Sequence, residues 1–124
     1  MTVGVAASVA NGWLDGTFAT ATCWAKLHIG DPGAAGATSP AVGDATRKQC
    51  TMAAASGGSK AMTGTAGPWA NVTTTETISH ISLWTASSAG TFQDSAALTA
   101  SQPWVNTNTL TLTSLTIAIT PIAA

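Results

Sequence analysis

Charged residues are scarce in this chain of 124 residues. Only 7% of them are Asp, Glu, Lys or Arg, whereas an ordinary globular domain carries about 25%. Four basic and five acidic residues leave a net charge of −1, so the chain lacks the basic field with which proteins neutralise phosphates. We therefore expect no direct nucleic acid partner.

Long hydrophobic runs are also missing, and cysteine is rare. No stretch approaches the roughly 20 consecutive apolar residues that a membrane-spanning helix requires, so we expect no membrane segment. The two cysteines, Cys23 and Cys50, lack the close spacing of a zinc site and are too few for a disulfide framework. They are expected to be small buried hydrophobic residues, with a single disulfide between them as the alternative.

The chain has few residues for acid-base chemistry or metal binding. Its two histidines and five acidic residues show none of the short spacings of zinc or calcium sites, and no serine lies in a G-x-S-x-G elbow. His28 and Asp31 could meet through the turn between them, as in a catalytic pair. A turn-capping Asp beside a His that supports a loop is the favoured interpretation. The prediction is no enzyme activity, no metal and no cofactor.

Small neutral residues make up most of this sequence in place of charged ones. Ala, Thr, Ser and Gly together make up 70 of the 124 residues. A surface of this kind on a protein of near-zero net charge favours association over repulsion, which indicates permanent assembly. The remaining bulky apolar residues suffice for one hydrophobic core, so one domain over residues 1–124 is expected.

Apolar periodicity predicts a short helix at the N-terminus, over residues 1–16. Val5, Val9 and Trp13 repeat at intervals of four, which is the spacing of one helix face. Gly16 is placed to end this helix.

Downstream of the helix the apolar period changes to two, which is typical of strands. Residues 78–85 form the strongest pattern, and apolar side chains on both faces favour a central strand or one covered by a partner. In the last run the phase changes at Ser114, which predicts a bulge or a strand break. About seven short strands are expected, so the predicted fold is all-β, an antiparallel β-sandwich or jelly-roll-like domain. The clearest strand patterns cover residues 22–29, 47–55, 60–65, 78–85, 91–98 and 107–120.

Five tryptophans stand out in a chain that has no tyrosine. Trp13 on the predicted helix, and Trp69 and Trp104 in predicted loops, are candidates for contacts between subunits, because Trp is enriched at interfaces. Core burial is the alternative for the two loop residues, and stacking on sugars of a bacterial surface is a third possibility. His28 and Asp31 complete the candidate interface residues, and the loop at 30–45 is expected to contact neighbours as well.

Five short segments occur in a characteristic order: KLHIGDPG at 26–33, ATRK at 45–48, AAASGG at 53–58, ETISHISLW at 76–84 and GTF at 90–92. In this order they resemble a family of small virion proteins of actinobacterial tailed phages, usually described as minor tail or tail-fibre proteins. The resemblance covers nearly the whole chain. One departure is Ile29, where the family usually has Thr or another small residue.

The resemblance implies a structural subunit of the virion. The leading expectation is a minor tail protein that forms a trimer or ring with copies of itself and contacts other tail proteins. A capsid decoration protein on the head is the first alternative, and a module at the tail tip that binds a host glycan or receptor is the second. The expected location is the virion, assembled in the host bacterial cytoplasm.

Overall fold

The computed structural model describes residues 3–120, which form one short helix, one turn of 3₁₀-helix and eight strands. This mostly antiparallel β architecture with one short N-terminal helix confirms the predicted fold class, with eight described strands where about seven were expected. Helix α1 spans Ala7–Thr17 and the 3₁₀ turn Thr20–Thr22; the strands are β1 Trp24–His28, β2 Lys48–Gln49, β3 Ser59–Ala61, β4 Ala66–Ala70, β5 Glu76–Trp84, β6 Phe92–Trp104, β7 Thr109–Leu112 and β8 Thr116–Ala118.

The largest sheet has four strands in the order β2-β1-β5-β6, and all its neighbours are antiparallel. Strand β5 lies in its interior, paired with β1 on one side and β6 on the other, as its two-sided apolar pattern predicted. Leu27 of β1 lies opposite Ile81 of β5, and both side chains are almost completely buried. The strongest strand pattern of the sequence therefore marks the centre of the fold.

Two ribbons of two strands complete the β structure. Strand β4 pairs with β7, and β3 pairs with β8. The predicted phase change at Ser114 is confirmed as a strand break, because β7 ends at Leu112 and β8 begins at Thr116. The break sends two consecutive strands into different ribbons.

Helix α1 packs on the β structure through one face. Ala10 and Leu14 are buried, and Asp15 accepts a hydrogen bond of 2.6 Å from the ammonium group of Lys60 on β3. The helix begins later than predicted, at Ala7, and the residue before it, Ala6, supplies no side-chain cap. The first two residues of the predicted helix lie outside the described residues.

Several strand boundaries differ from the prediction. The pattern at 47–55 forms strand only at Lys48–Gln49, with a single bridge from Met52 to Met62. The backbone N–H groups of Met52 and Ala55 donate to the side chains of Thr20 and Asp15 instead of to a neighbouring strand. Strand β3 covers only Ser59–Ala61, whereas β6 extends six residues beyond the predicted end at Leu98, to Trp104. The core is a single cluster that joins the helix to residues from all three sheets.

Candidate interaction site

Trp69 and Trp104, predicted to lie in loops, are buried in the core, with 0% and 1% of their surfaces exposed. Each indole N–H is satisfied internally, that of Trp69 by the carbonyl of Thr46 at 2.9 Å and that of Trp104 by the carbonyl of Asn108 at 3.2 Å. Trp69 lies within β4 and Trp104 ends β6. The predicted loop positions are therefore wrong, and core burial, the alternative given above, describes both residues, since neither indole is available at the surface.

Trp13 is the candidate tryptophan that does lie on the surface. Its side chain is 56% exposed, and Val9, one turn earlier on α1, is 44% exposed. Gly12 and Gly16 have no atom within 4 Å of the position that a Cβ would take. The outer face of the helix is therefore apolar and uncovered, although an area of this size is small beside the roughly 800 Å² per partner of a stable interface.

His28 is fully buried and belongs to a polar network beneath the loop that follows β1. Its Nδ1 lies 2.9 Å from the carbonyl oxygen of Thr38, and its Nε2 lies 2.7 Å from the hydroxyl of Ser82. The carbonyl can only accept, so Nδ1 carries the proton and Nε2 accepts from Ser82. The Ser82 oxygen in turn accepts the indole N–H of Trp84 at 2.7 Å. Burial lowers the pKa of His28, which favours the neutral ring that this network needs.

Asp31 does not join this network. Its Oδ1 accepts the backbone N–H of Gly33 at 2.9 Å, which is the geometry of an Asx turn. The ring of His28 has Thr38 and Ser82 as its partners instead. The two residues therefore occupy the turn-capping and loop-supporting roles favoured above, and the alternative of a His28–Asp31 pair is not formed.

A row of aromatic side chains crosses the four-stranded sheet and was missed by sequence reasoning. Trp24, Trp84 and Phe92 lie opposite one another on adjacent strands and are all half-buried. The guanidinium of Arg47 lies 4.0 Å from the centre of the Trp84 ring and donates to the carbonyls of the turn at 86–89. The sequence placed Trp24 and Trp84 on strands, but their alignment depends on the register of β1 against β5, which the structure supplies.

Cys23 and Cys50 are free and completely buried, as the favoured interpretation expected. The backbone N–H of Cys50 donates to the carbonyl of Cys23 at 2.9 Å, so the two residues are neighbours on adjacent segments. The hydrogen bond between the thiols, together with burial, raises the pKa of Cys50. Held in its neutral form, the Cys50 thiol is a poor nucleophile and a poor metal ligand.

An open groove of about 580 Å³ lies between β6 on one side and β7 and β8 on the other. Leu27 and Ile81, both buried, form its floor. Alanine and threonine side chains line its walls, together with Leu98, Leu110, Leu112 and Leu115. Within residues 3–120 no backbone hydrogen bond joins β6 to β7 or β8. The groove therefore separates strand edges that have no partner in the described chain.

The groove is distinguished by the absence of charge. No residue that lines it is charged, and Asp94 is the last charged residue of the sequence. Most of β6 beyond this point is exposed, because all of residues 96–103 except the half-buried Leu98 face solvent. This surface is neutral, rich in hydroxyl groups, and formed by strands.

Two classes of site are not found in the part of the chain that the structure describes. No group of three or more His, Cys, Asp or Glu side chains there could hold a metal ion. None of its helices has the length and apolar character to cross a membrane. The most distinctive surface feature of residues 3–120 is thus the groove between strand edges.

A β-rich fold with a neutral surface and unpaired strand edges favours association with other protein chains. The particular family is shown by a family model described as podophage GP4 fiber I protein gp80, which matches residues 3–120. The chain belongs to this family and is a phage fibre or tail structural protein and hence a virion component. No curated protein matches it.

Proposed function

We propose that this protein is a minor tail protein that forms a trimer or ring with copies of itself and contacts other proteins of the phage tail. The observation that carries the proposal is the uncharged strand surface of residues 95–120 in a member of a fibre protein family. Net charge keeps most proteins apart in solution. A chain with a net charge of −1 has very little repulsion between its copies.

Closed symmetry suits this surface. A cyclic arrangement of identical subunits covers a contact surface on every copy and leaves none exposed to drive further growth. The free buried thiols Cys23 and Cys50 fit assembly in a reducing compartment such as the host bacterial cytoplasm. The membership in a fibre family supports a place on the tail over the alternative of capsid decoration.

The glycan-binding alternative was based on Trp69 and Trp104, and neither is exposed. Trp69 and Trp104 are buried and cannot stack on a sugar without unfolding the core. Trp13 remains exposed, so an effect of Trp13→Ala on adsorption to host cells, with particles intact, is the result that would favour this alternative.

Labelling the protein within the phage particle tests the proposal. A short epitope is inserted at Gly57, in an exposed turn, and gold-labelled antibody is located on purified particles by electron microscopy. We expect label on the tail at a copy number that matches the tail symmetry. Label on the head would identify a decoration protein, and the absence of label from intact particles that contain the tagged gene would refute a place in the virion.

An actinobacterial host remains a prediction of the sequence resemblance, tested by plating the phage on such bacteria.

A further inference from the structure

We propose that a second copy of this chain binds at the groove, where it pairs with the free edge of β6 at residues 96–101. The inference rests on the proposed function and names the surface through which the copies associate. A strand edge presents unpaired backbone N–H and C=O groups, which a strand from another chain can complete.

A bulge in β6 separates part of this strand from β5 and exposes its backbone. Ile78 of β5 lies opposite Gln102, and His80 lies opposite Ala97. Residues 98–101 therefore face only Ser79 and have no partner in register with β5. Such a bulge bends the strand and turns it away from its neighbour, which directs this segment towards the groove.

The charges and prolines that protect many edge strands are missing from this segment. Proteins guard exposed edges with lysine, with inward-pointing charges or with proline. Residues 96–101 contain none of these, and Pro103 lies beyond them. The opposite wall, from Leu110 to Thr116, is uncharged as well.

The neutrality of the groove indicates the chemistry of its occupant. A charged side chain buried there would find no opposite charge among the lining residues, which is costly. The partner must therefore present an extended, uncharged segment. A second copy supplies such a segment in its own β7, Thr109–Leu112, which pairs on one side only, with β4. Pairing β6 of one copy with β7 of the next uses two different surfaces, so the contact can close into the proposed trimer or ring.

Sedimentation equilibrium of the purified chain tests this inference directly. We expect oligomers of the wild-type protein at micromolar concentrations. Ala100→Lys and Thr111→Lys place a charge on either wall of the groove at exposed positions and are expected to raise the dissociation constant roughly tenfold or more. Val72→Lys, at an exposed position outside the groove, is the matched control and should leave the dissociation constant unchanged.

Amide hydrogen exchange keeps the test independent of how well the variants fold. Backbone amides of residues 96–101 in the wild-type protein should exchange more slowly in the oligomer than after dilution to monomer. An oligomer in which these amides exchange freely, or one disrupted by Trp13→Lys but not by Ala100→Lys, overturns this inference and leaves the proposed function standing. A wild-type chain that stays monomeric at high concentration overturns both, while the position of the label on the particle decides the virion role separately.

Discussion

At the scale of single residues, His28 is held by partners that fix its proton. Thr38 accepts from Nδ1, Ser82 donates to Nε2, and Trp84 donates to Ser82. An imidazolium would carry a second N–H towards the Ser82 oxygen, which already receives the indole proton. The site is therefore built for the neutral ring.

This network predicts loss of stability in mild acid. The pKa of His28 is lowered by burial, so the unfolded chain, with a His pKa of about 6.5, takes up the proton first as the pH falls. Stability is complete above about pH 6.5 and declines as the pH falls through the folded pKa. The loss is about 1.4 kcal/mol for each pH unit that separates the two pKa values.

Urea denaturation between pH 7.5 and 5.5 measures this effect. His28→Gln should be less stable than the wild-type protein and should depend less steeply on pH across this range. Parallel curves for the wild type and His28→Gln would contradict the assignment.

The tryptophans differ in what they contribute to stability. Trp69→Ala removes a completely buried indole and should lower the free energy of unfolding by about 3–5 kcal/mol. Trp13→Ala changes a side chain that is 56% exposed. This substitution should change the free energy of unfolding by no more than about 0.5 kcal/mol. Chemical denaturation of the monomeric protein measures both, and losses of equal size would mean that α1 is buried in solution.

At the scale of elements, one ion pair joins helix α1 to the β3–β8 ribbon. Lys60 is 4% exposed, whereas its partner Asp15 is 46% exposed. The hydrogen bond from Lys60 lowers the pKa of Asp15, so its contribution is present above the unfolded pKa of about 3.9 and is lost as the pH falls through the folded value.

The unequal burial predicts unequal effects of removing either partner. Asp15→Asn leaves an ammonium group buried without a counter-charge, whereas Lys60→Met leaves a carboxylate that water can reach. We therefore expect Asp15→Asn to lower the melting temperature more than Lys60→Met does. Calorimetry at pH 7 compares the two variants, and the reverse order would show that the carboxylate is the less solvated partner.

The loop over β6 depends on a glycine. Gly36 has φ +70°, and a Cβ there would overlap the ring of Phe92, whereas Gly57 has φ +60° and open space around it. Both Ala variants adopt a strained backbone, but Gly36→Ala must also displace the ring, which costs about 1–3 kcal/mol more. Thermal unfolding of the two variants measures the difference, and equal melting temperatures would mean that the ring moves aside freely.

The elements were predictable wherever their signal is local. The two-sided pattern of β5, the phase change at Ser114 and the helical spacing of Trp13 each depend on neighbours within one segment, and each appears in the fold. The burial of Trp69 was not predictable, because Gly67 and Pro68 resemble a turn and the indole is held by Thr46, 23 residues away.

The candidate site was harder to predict for the same reason. His28 and Ser82 are 54 residues apart in the chain, and their contact depends on the register of β1 against β5. The groove depends on how three sheets are placed around one core. Only its lack of charge could be seen in the sequence beforehand.

At the scale of the whole molecule, the contacts made by charged side chains are unevenly distributed. Ion pairing and charged hydrogen bonds hold α1, the loop at 30–47 and the turn at 86–89. The groove between β6, β7 and β8 is lined instead by hydroxyl groups and apolar side chains. The charged contacts thus hold the fold together internally, while the groove offers uncharged strand edges to a neighbour.

The uncharged groove also determines how a contact made there responds to ionic strength. Attraction between exposed charges weakens as salt shortens the Debye length, from about 30 Å at 0.01 M to about 8 Å at 0.15 M. A contact between neutral strand edges has no such attraction to screen. A particle that passes from the concentrated interior of a cell into dilute water would keep this contact between subunits unchanged.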